Sequence, residues 1–318
     1  MSPKTTTSAP SPLKGHHTVI SDKAFGSLTR VRLETPEAIA TAANERHRTS
    51  VAEVAAAGDL FLVAADHPAR AALSVGKDRL AMANRRSLLE RLAIALEHPR
   101  VDGVLASADV IEDLLLLGLL DDKLVIGSMN RGGLSGSVWE LDDRFTGYDA
   151  PHIDAMGFDG GKMLLRIDRN DRDTRTTLEA ASRAVTDLAD RSLMAMIEPL
   201  PAHRSAEGAV TITSDPDDLI HVIAVASGIG ATSAHTWLKL PVVPDIERVI
   251  ETTTLPCLLL GGDIGADPDA TYAGWQRALL IPQVHGLVAG RALLYPGDGD
   301  VKSAVDRATG LLEGGRHD

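Results

Sequence analysis

The chain is poor in cysteine, in aromatic residues and in long apolar runs. Its 318 residues include one cysteine, Cys257, so no disulfide forms within the chain and no site of several cysteine ligands is possible. Aromatic residues make up 3% of the chain, which disfavours a surface that stacks bases or sugars. No apolar run approaches the ~18 residues of a membrane span. We expect a cytoplasmic protein without a membrane partner.

Positive charge is also scarce. Lys and Arg number 32 against 44 Asp and Glu, a net charge of -12, which argues against nucleic-acid binding because that needs a basic face. The histidines show no metal-binding spacing, and no phosphate-binding Walker loop or serine nucleophile elbow is present. The pair His16 and His17 lies in a segment, residues 1–30, that we predict to be a disordered or extended tail. We expect no metal and no cofactor.

The chain is rich in short apolar runs that alternate with helical patterns. Because such alternation is typical of parallel βαβ units, eight runs predict an α/β protein with a closed (β/α)8 barrel, a TIM barrel, as a single domain over residues 31–318. An extra N-terminal helix is predicted from the cap Thr35-Pro36-Glu37 to Ala57. The predicted strands cover residues 60–65, 103–106, 124–127, 161–167, 193–197, 237–240, 255–260 and 285–289.

An open doubly wound sheet is the alternative for an alternating chain. It would need a glycine-rich dinucleotide turn after the first strand, where this chain has Asp66-His67-Pro68-Ala69-Arg70. The closed barrel is therefore favoured. In a barrel the active site lies at the carboxyl ends of the strands, so polar residues there are candidates for function. These residues are Asp66, His67, Asn130, Arg131, Arg166, Asp168, Glu198, Lys239, Asp263 and Arg291.

Lys239 lies in the apolar run Trp237–Leu240 and is followed at once by Pro241. Burying an unpaired ammonium is costly, and a desolvated neutral amine is a nucleophile towards carbonyl groups. Our hypothesis is that Lys239 forms a Schiff base; the alternative is a lysine whose ammonium reaches past the strand end into solvent. Lys162, near the start of the fourth strand, is expected to point inward and to favour the neutral amine by like-charge repulsion.

Glycines follow the last two predicted strands as Gly261-Gly262 and Gly290-Arg291. Backbone N–H groups at these turns could converge on an anion, at the place where barrels often hold phosphate, and Arg291 could add a bidentate contact. The same glycines could instead serve only to make tight turns. The residues leave both interpretations open.

Five segments resemble one enzyme family. They are Ala65-Asp66-His67, Lys162-Met163-Leu164-Leu165, Ile197-Glu198-Pro199, Trp237-Leu238-Lys239-Leu240-Pro241 and Gly286-Leu287-Val288-Ala289-Gly290-Arg291-Ala292. The chain resembles the class I (Schiff-base) aldolases of the (β/α)8 barrel superfamily, in the branch of tagatose-bisphosphate, sulfofructose-phosphate and archaeal-type fructose-bisphosphate aldolases. More narrowly, it resembles an actinobacterial barrel protein found with inositol-catabolism enzymes.

The resemblance implies a lyase that acts on a ketose phosphate. Its best candidate is 6-phospho-5-dehydro-2-deoxygluconate, cleaved to dihydroxyacetone phosphate and malonate semialdehyde. Lys239 would form the Schiff base, with Asp66, Lys162 and Glu198 as its neighbours in proton transfer, and Gly262, Gly290 and Arg291 would bind the phosphate. Beyond the resemblance, we expect Gly261, Asn130 and Arg131 to bind substrate or phosphate, and Arg131 to hold the carboxylate of this substrate by a charge-assisted pair.

Two features depart from the family pattern and two other functions stay open. Asp263 adds a negative charge beside the implied phosphate site, and Asn130-Arg131-Gly132-Gly133 has no clear family counterpart. A phosphosugar isomerase or epimerase that uses only carboxylates is one alternative, and a non-catalytic sugar-phosphate-binding barrel is the other. We also predict a homo-oligomer, and the loop from Met129 to Ala150 is a candidate lid.

Overall fold

Three helices precede the barrel in the computed structural model, which describes residues 20–262 and 268–313. They are α1 (Asp22–Glu34), α2 (Ala38–Glu45) and α3 (Val51–Ala57). The predicted tail over residues 1–30 therefore includes the first turns of α1, while its earlier part, with His16 and His17, lies outside the described residues.

The single helix predicted up to Ala57 is wrong, because the chain leaves the helix at Arg46 and starts a new one at Ser50. Ser50 and Glu53 form a reciprocal capping box that satisfies two N–H groups at the start of α3. The guanidinium of Arg46 donates to the carbonyl oxygens of Lys123 and Gly157 at 2.9 and 2.8 Å, at the amino-terminal end of the barrel strands.

The strands form a closed ring. They are β1 (Leu60–Ala65), β2 (Gly103–Ala106), β3 (Leu124–Ser128), β4 (Gly160–Ile167), β5 (Met194–Arg204), β6 (Val210–Ile212), β7 (Thr236–Leu240), β8 (Cys257–Leu260) and β9 (Val284–Ala289). Eight of these strands are parallel and pair in the order β1-β2-β3-β4-β5-β7-β8-β9, and β9 pairs with β1, so the predicted (β/α)8 barrel is confirmed. The short β6 is antiparallel to the end of β5 and lies outside the ring.

The fifth strand is longer than predicted. The pattern predicts its end at residue 197, but β5 continues to Arg204 and pairs with β4 as far as Pro201 and then with β6. The prolines that follow Glu198 do not end the strand there, because residues beyond the barrel rim find a second partner in β6.

Helices cover the outside of the ring. No helix in the described ranges is long and apolar enough to cross a membrane. A short 3-10 turn, Pro68–Arg70, follows β1. The remaining helices are α4 (Arg85–Leu96), α5 (Ala108–Leu116), α6 (Ala150–Ala155), α7 (Asp173–Ala189), α8 (Pro216–Ser227), α9 (Ile246–Ile250), α10 (Pro268–Ala278), α11 (Arg291–Leu294) and α12 (Val301–Glu313).

Candidate active site

The polar residues of the barrel mouth continue the rows of apolar side chains that fill the barrel. Side chains alternate along a strand, so residues two positions apart share a face. In β1 the inward row Leu60, Leu62 and Ala64 is followed by Asp66, and in β5 the inward row Met194 and Met196 is followed by Glu198. The same spacing places Ser128 after Leu124 and Ile126 in β3, and Lys239 after Trp237 in β7. Each row thus ends in a polar group at the carboxyl edge.

Five charged side chains form a chain of alternating sign across this edge. Lys239 Nζ donates to Glu198 Oε1 at 2.9 Å, and Lys162 contacts the other oxygen of Glu198. Lys162 Nζ also lies 3.3 Å from Asp66 Oδ2, which Arg131 Nη2 contacts at 3.1 Å. The order is therefore Lys239, Glu198, Lys162, Asp66, Arg131, with three cations and two anions.

These charges are buried, with exposed fractions between 2% and 8%. The alternative in which Lys239 reaches solvent is excluded, because the residue is 5% exposed and its ammonium is paired with Glu198. Charges at this depth are tolerated only when they are paired and hydrogen-bonded, as they are here.

Burial and pairing shift the pKa values in opposite directions. Burial alone would raise the pKa of Glu198, but Lys162 and Lys239 outweigh it and lower the pKa to about 2. Burial would likewise raise the pKa of Asp66, but Lys162 and Arg131 hold it well below its usual range. Burial lowers the pKa of Lys162, although Asp66 and Glu198 act against the effect. Both carboxylates are thus kept ionised, and burial destabilises the protonated form of Lys162.

Asn130 has a structural role. Its side-chain amide donates to the carbonyl of Leu164 at 2.6 Å, and its side-chain oxygen accepts from the N–H of Leu164 at 2.8 Å. The side chain therefore continues the β3–β4 pairing beyond the end of β3. Both polar atoms of Asn130 thus bind the backbone of Leu164, and the predicted contact between Asn130 and substrate stays a prediction.

Close packing requires glycine in the turns after β8 and β9. A Cβ on Gly261 would lie 2.7 Å from the Cα of Ala289, and one on Gly290 would lie 2.5 Å from the carbonyl oxygen of Ala64. Gly262 adopts a left-handed φ of 58°. Arg291 directly follows Gly290 and donates to the carbonyl of Ser74 at 3.4 Å. The predicted phosphate contacts stay a prediction.

Arg166 and Asp168, two of the strand-end residues predicted from the sequence, bind neighbouring backbone segments. Asp263 lies outside the described residues. The Asp168 carboxylate accepts from the backbone N–H groups of Asn170 and Arg204, both at 2.9 Å, so it holds the loop after β4 to the end of β5. Arg166 is directed to the loop after β3, which is described below.

The sequence analysis assigned no role to two residues of the barrel mouth, Ser128 and His67. Ser128 Oγ donates to Asp66 Oδ2 at 3.2 Å, and the period-two row of β3 was the signal that could have identified it. The Nδ1 atom of His67 lies 3.8 Å from Asp66 Oδ1, and burial lowers the pKa of His67 to about 4, so its imidazole is neutral at pH 7. Among the described residues, no group of three or more His, Cys, Asp or Glu could hold a metal ion.

The comparison with protein families gives one match, to the Cgl0159-like family, over residues 58–309. The chain belongs to the Cgl0159-like family. A crystal structure of Cgl0159 from Corynebacterium glutamicum is 49% identical, with a TM-score of 0.88, over 93% of this chain and 98% of that chain. No curated protein matches.

More distant solved structures share the fold of this Cgl0159-like protein. An archaeal fructose 1,6-bisphosphate aldolase is 16% identical with a TM-score of 0.60, over 81% of this chain and 95% of that chain. A fructose-bisphosphate aldolase from Slackia heliotrinireducens is 13% identical with a TM-score of 0.58, over 95% of this chain and 94% of that chain. At such identities the likeness establishes the barrel fold.

Proposed function

We propose that this protein is a class I aldolase that cleaves a ketose phosphate through a Schiff base on Lys239. The observation that carries the proposal is the contact between Lys239 Nζ and Glu198 Oε1 at 2.9 Å, within a buried mouth that also holds Lys162. Imine formation requires a neutral amine beside a group that accepts its proton, and Glu198 is in place to do so. Two of the solved structures with this fold carry the name fructose-bisphosphate aldolase.

Lys239 and Glu198 form an ion pair at rest, so the reaction begins from the minor state in which Lys239 has transferred its proton to Glu198 and its neutral amine attacks the substrate ketone. Glu198 then returns that proton to the hydroxyl of the carbinolamine, which leaves as water and gives a protonated imine that withdraws electrons from the neighbouring carbon–carbon bond. A carboxylate then takes the proton of the hydroxyl beyond the scissile bond. The bond breaks to an aldehyde and an enamine, and protonation and hydrolysis of the enamine release dihydroxyacetone phosphate and free Lys239.

Lys162 supports the proton transfers in this scheme. It contacts Glu198 and Asp66, so it links the carboxylate beside Lys239 to a second carboxylate across the mouth. A proton carrier works best when its pKa is near the working pH, and burial moves the pKa of Lys162 in that direction. We assign the hydroxyl proton to Asp66, since within residues 20–262 and 268–313 its Oδ1 is paired with His67 alone, at 3.8 Å, whereas Oδ2 accepts from three donors.

The proposed substrate is 6-phospho-5-dehydro-2-deoxygluconate. Its phosphate would bind at Gly261, Gly262, Gly290 and Arg291, and its carboxylate would bind Arg131. Three of the five N–H groups of Arg131 donate to Asp66 and to the Asn130 carbonyl within the described structure. In the proposal the remaining two, one on each terminal nitrogen, donate to the substrate carboxylate, for which a guanidinium provides matching geometry. The homo-oligomer and the cytoplasmic location stay predictions.

Borohydride reduction tests the mechanism. Dihydroxyacetone phosphate with sodium borohydride should add a stable mass to the peptide that contains Lys239, and Lys239→Met should abolish the adduct. Lys123→Met is the matched control, because Lys123 is also partly buried but donates to the Val101 carbonyl at the opposite end of the barrel. A folded wild type without an adduct at Lys239 contradicts the proposal. Turnover by Lys239→Met would favour the isomerase, and thermal stabilisation by sugar phosphates without turnover would favour a binding protein.

A further inference from the structure

The loop after β3, residues 129–149, is held against the barrel by a buried network. Arg70, from the turn after β1, donates to the Gly133 carbonyl at 2.9 Å and also contacts the Asp143 carboxylate. Arg166, from β4, lies 3.2 Å from the same carboxylate and donates to the Gly133 carbonyl at 3.0 Å. The Gly133 N–H donates to Asp143 Oδ1 at 2.9 Å. The turn after β1 and the strand β4 thus both hold the loop at Gly133 and Asp143.

Gly132 and Gly133 are explained by this packing. A Cβ on Gly133 would overlap the Glu140 carbonyl and the Arg166 guanidinium and would lie 2.9 Å from Asp143 Cγ. A Cβ on Gly132 would lie 2.8 Å from the backbone of Arg144. The loop therefore closes tightly on itself, and this feature of the sequence had no counterpart in the family resemblance.

The network ends at Arg131. Arg70 donates to the Asn130 carbonyl, which also accepts from Arg131 Nε at 3.1 Å. Burial and then repulsion from Arg131 lower the pKa of Arg70 to about 10, as expected for two guanidinium groups around one acceptor. The backbone on the other side of Arg131 is held too, since the Gly132 N–H donates to the Arg144 carbonyl at 3.0 Å. The position of the Arg131 side chain is thus set from both sides.

Arg131 follows β3, which is three strands from β9 and four from β8 in the ring, and its guanidinium reaches the end of β1, where it contacts Asp66. Lys162, Glu198 and Lys239 lie on strands on the side of the ring between β3 and β8. A ligand that binds both Arg131 and the glycine turns after β8 and β9 must carry one anionic group for each position.

We infer that Arg70, together with Asp143 and Arg166, is a positioning network that fixes Arg131 and so makes the mouth select ligands with a phosphate at one end and a carboxylate at the other. The inference rests on the phosphate and carboxylate positions of the proposed function. Arg70 acts through Arg131 and does not itself touch the ligand. A guanidinium that is already held in place binds a carboxylate more tightly, because less freedom is lost on binding.

Two stable probes separate the carboxylate contact from the rest of the ligand. 6-Phosphogluconate carries a phosphate and a carboxylate, whereas glucitol 6-phosphate has the same length and a neutral end. The ratio of their dissociation constants, measured by calorimetry, reports the carboxylate contact alone. We expect wild type to favour 6-phosphogluconate by about tenfold or more, as for a charge-assisted hydrogen bond.

Arg70→Lys and Asp143→Asn test the network from both partners. Each should reduce the ratio to about twofold while leaving the dissociation constant of glucitol 6-phosphate within about twofold of wild type, because only the carboxylate end is affected. Asp143→Asn keeps the size of the side chain and an acceptor for Gly133, so it decides the matter if Arg70→Lys does not fold. A purely structural loss would weaken both probes together and leave the ratio unchanged.

Arg46→Lys is the matched control. Arg46 is also buried and also binds loop carbonyls, but at the opposite end of the barrel, so the variant should keep the wild-type ratio. The inference is overturned if both network variants keep the wild-type ratio, or if wild type binds the two probes equally or binds neither. Failure of the aldolase chemistry is seen separately, as the absence of a borohydride adduct at Lys239.

Discussion

Replacing Glu198 with glutamine removes the negative charge that two buried lysines share. In the folded protein the pKa of Glu198 falls from an ordinary value of 4.5 to about 2, because Lys162 and Lys239 stabilise the carboxylate more than burial disfavours it. At about 1.4 kcal/mol per pKa unit, the shift corresponds to about 3 kcal/mol of folding free energy at pH 7. Removing one partner of a buried ion pair typically costs about 3–5 kcal/mol, which agrees with the value from the pKa shift.

The pH dependence of this loss follows from the direction of the shift. A carboxylate with a lowered folded pKa stabilises the protein above its unfolded pKa of 4.5, and the contribution disappears as the pH falls towards 2. The difference between wild type and Glu198→Gln should therefore be largest near pH 7 and should shrink below about pH 4.5. Urea unfolding at pH 7 and at pH 4 measures both values.

Glu179→Gln is the matched control for this experiment. Glu179 pairs with Arg183 on the exposed surface of α7, so its loss should change the unfolding free energy by less than about 0.5 kcal/mol. Turnover of Glu198→Gln should fall by about 10²–10⁴-fold, as for loss of a general base. A Glu198→Gln protein within about 1 kcal/mol of wild type at pH 7 would refute the reasoning, since the lysines would then need no shared anion.

Three further predictions concern stability. Gly133→Ala should lower the unfolding free energy by about 1–3 kcal/mol in urea titrations, because its Cβ overlaps backbone and guanidinium atoms; an unchanged midpoint would contradict the tight loop. Gly310→Ala should raise it by about 0.5–1 kcal/mol, because Gly310 lies inside α12 with open space at its Cβ position; a loss of stability would show that a contact was missed. Burial raises the pKa of Asp159 to about 6 from 3.8, so ionising it costs stability as the pH rises. The difference in unfolding free energy between the two proteins should therefore shift in favour of Asp159→Asn by about 2 kcal/mol between pH 4 and pH 7, and parallel pH profiles would refute this.

Much of the fold could be predicted because its signals are local. Each strand is a short apolar run between helical patterns, and eight such runs predict a closed ring.

The first helices were harder to place. The signal for α1 is a cap at Ser21, whose side chain accepts from the Ala24 N–H at 3.1 Å, and it lies next to a polar segment that resembles a tail. The break between α2 and α3 depends on Arg46 reaching loops that are distant in sequence.

The candidate site was predictable in part for the same reason. Asp66, Glu198 and Lys239 extend inward rows of apolar residues, so the period of a strand places them at the barrel mouth. The contact between the Asn130 side chain and the backbone of β4 was not predictable. In the sequence alone, a polar residue at a strand end indicates a substrate ligand equally well. The same applies to Arg70, whose partners lie on a loop more than sixty positions away.

The sequence by itself determined the number of βα units, the inward face of each strand and the presence of a lysine where an apolar core ends. These properties follow from the periodicity of side chains along a single strand, which needs no distant partner. Only the tertiary structure decided which charges meet. Closure of the ring brings Lys239 onto Glu198, Lys162 between two carboxylates and Arg131 onto Asp66. Hydrogen-bond register between strands sets those pairings, and no local pattern encodes it.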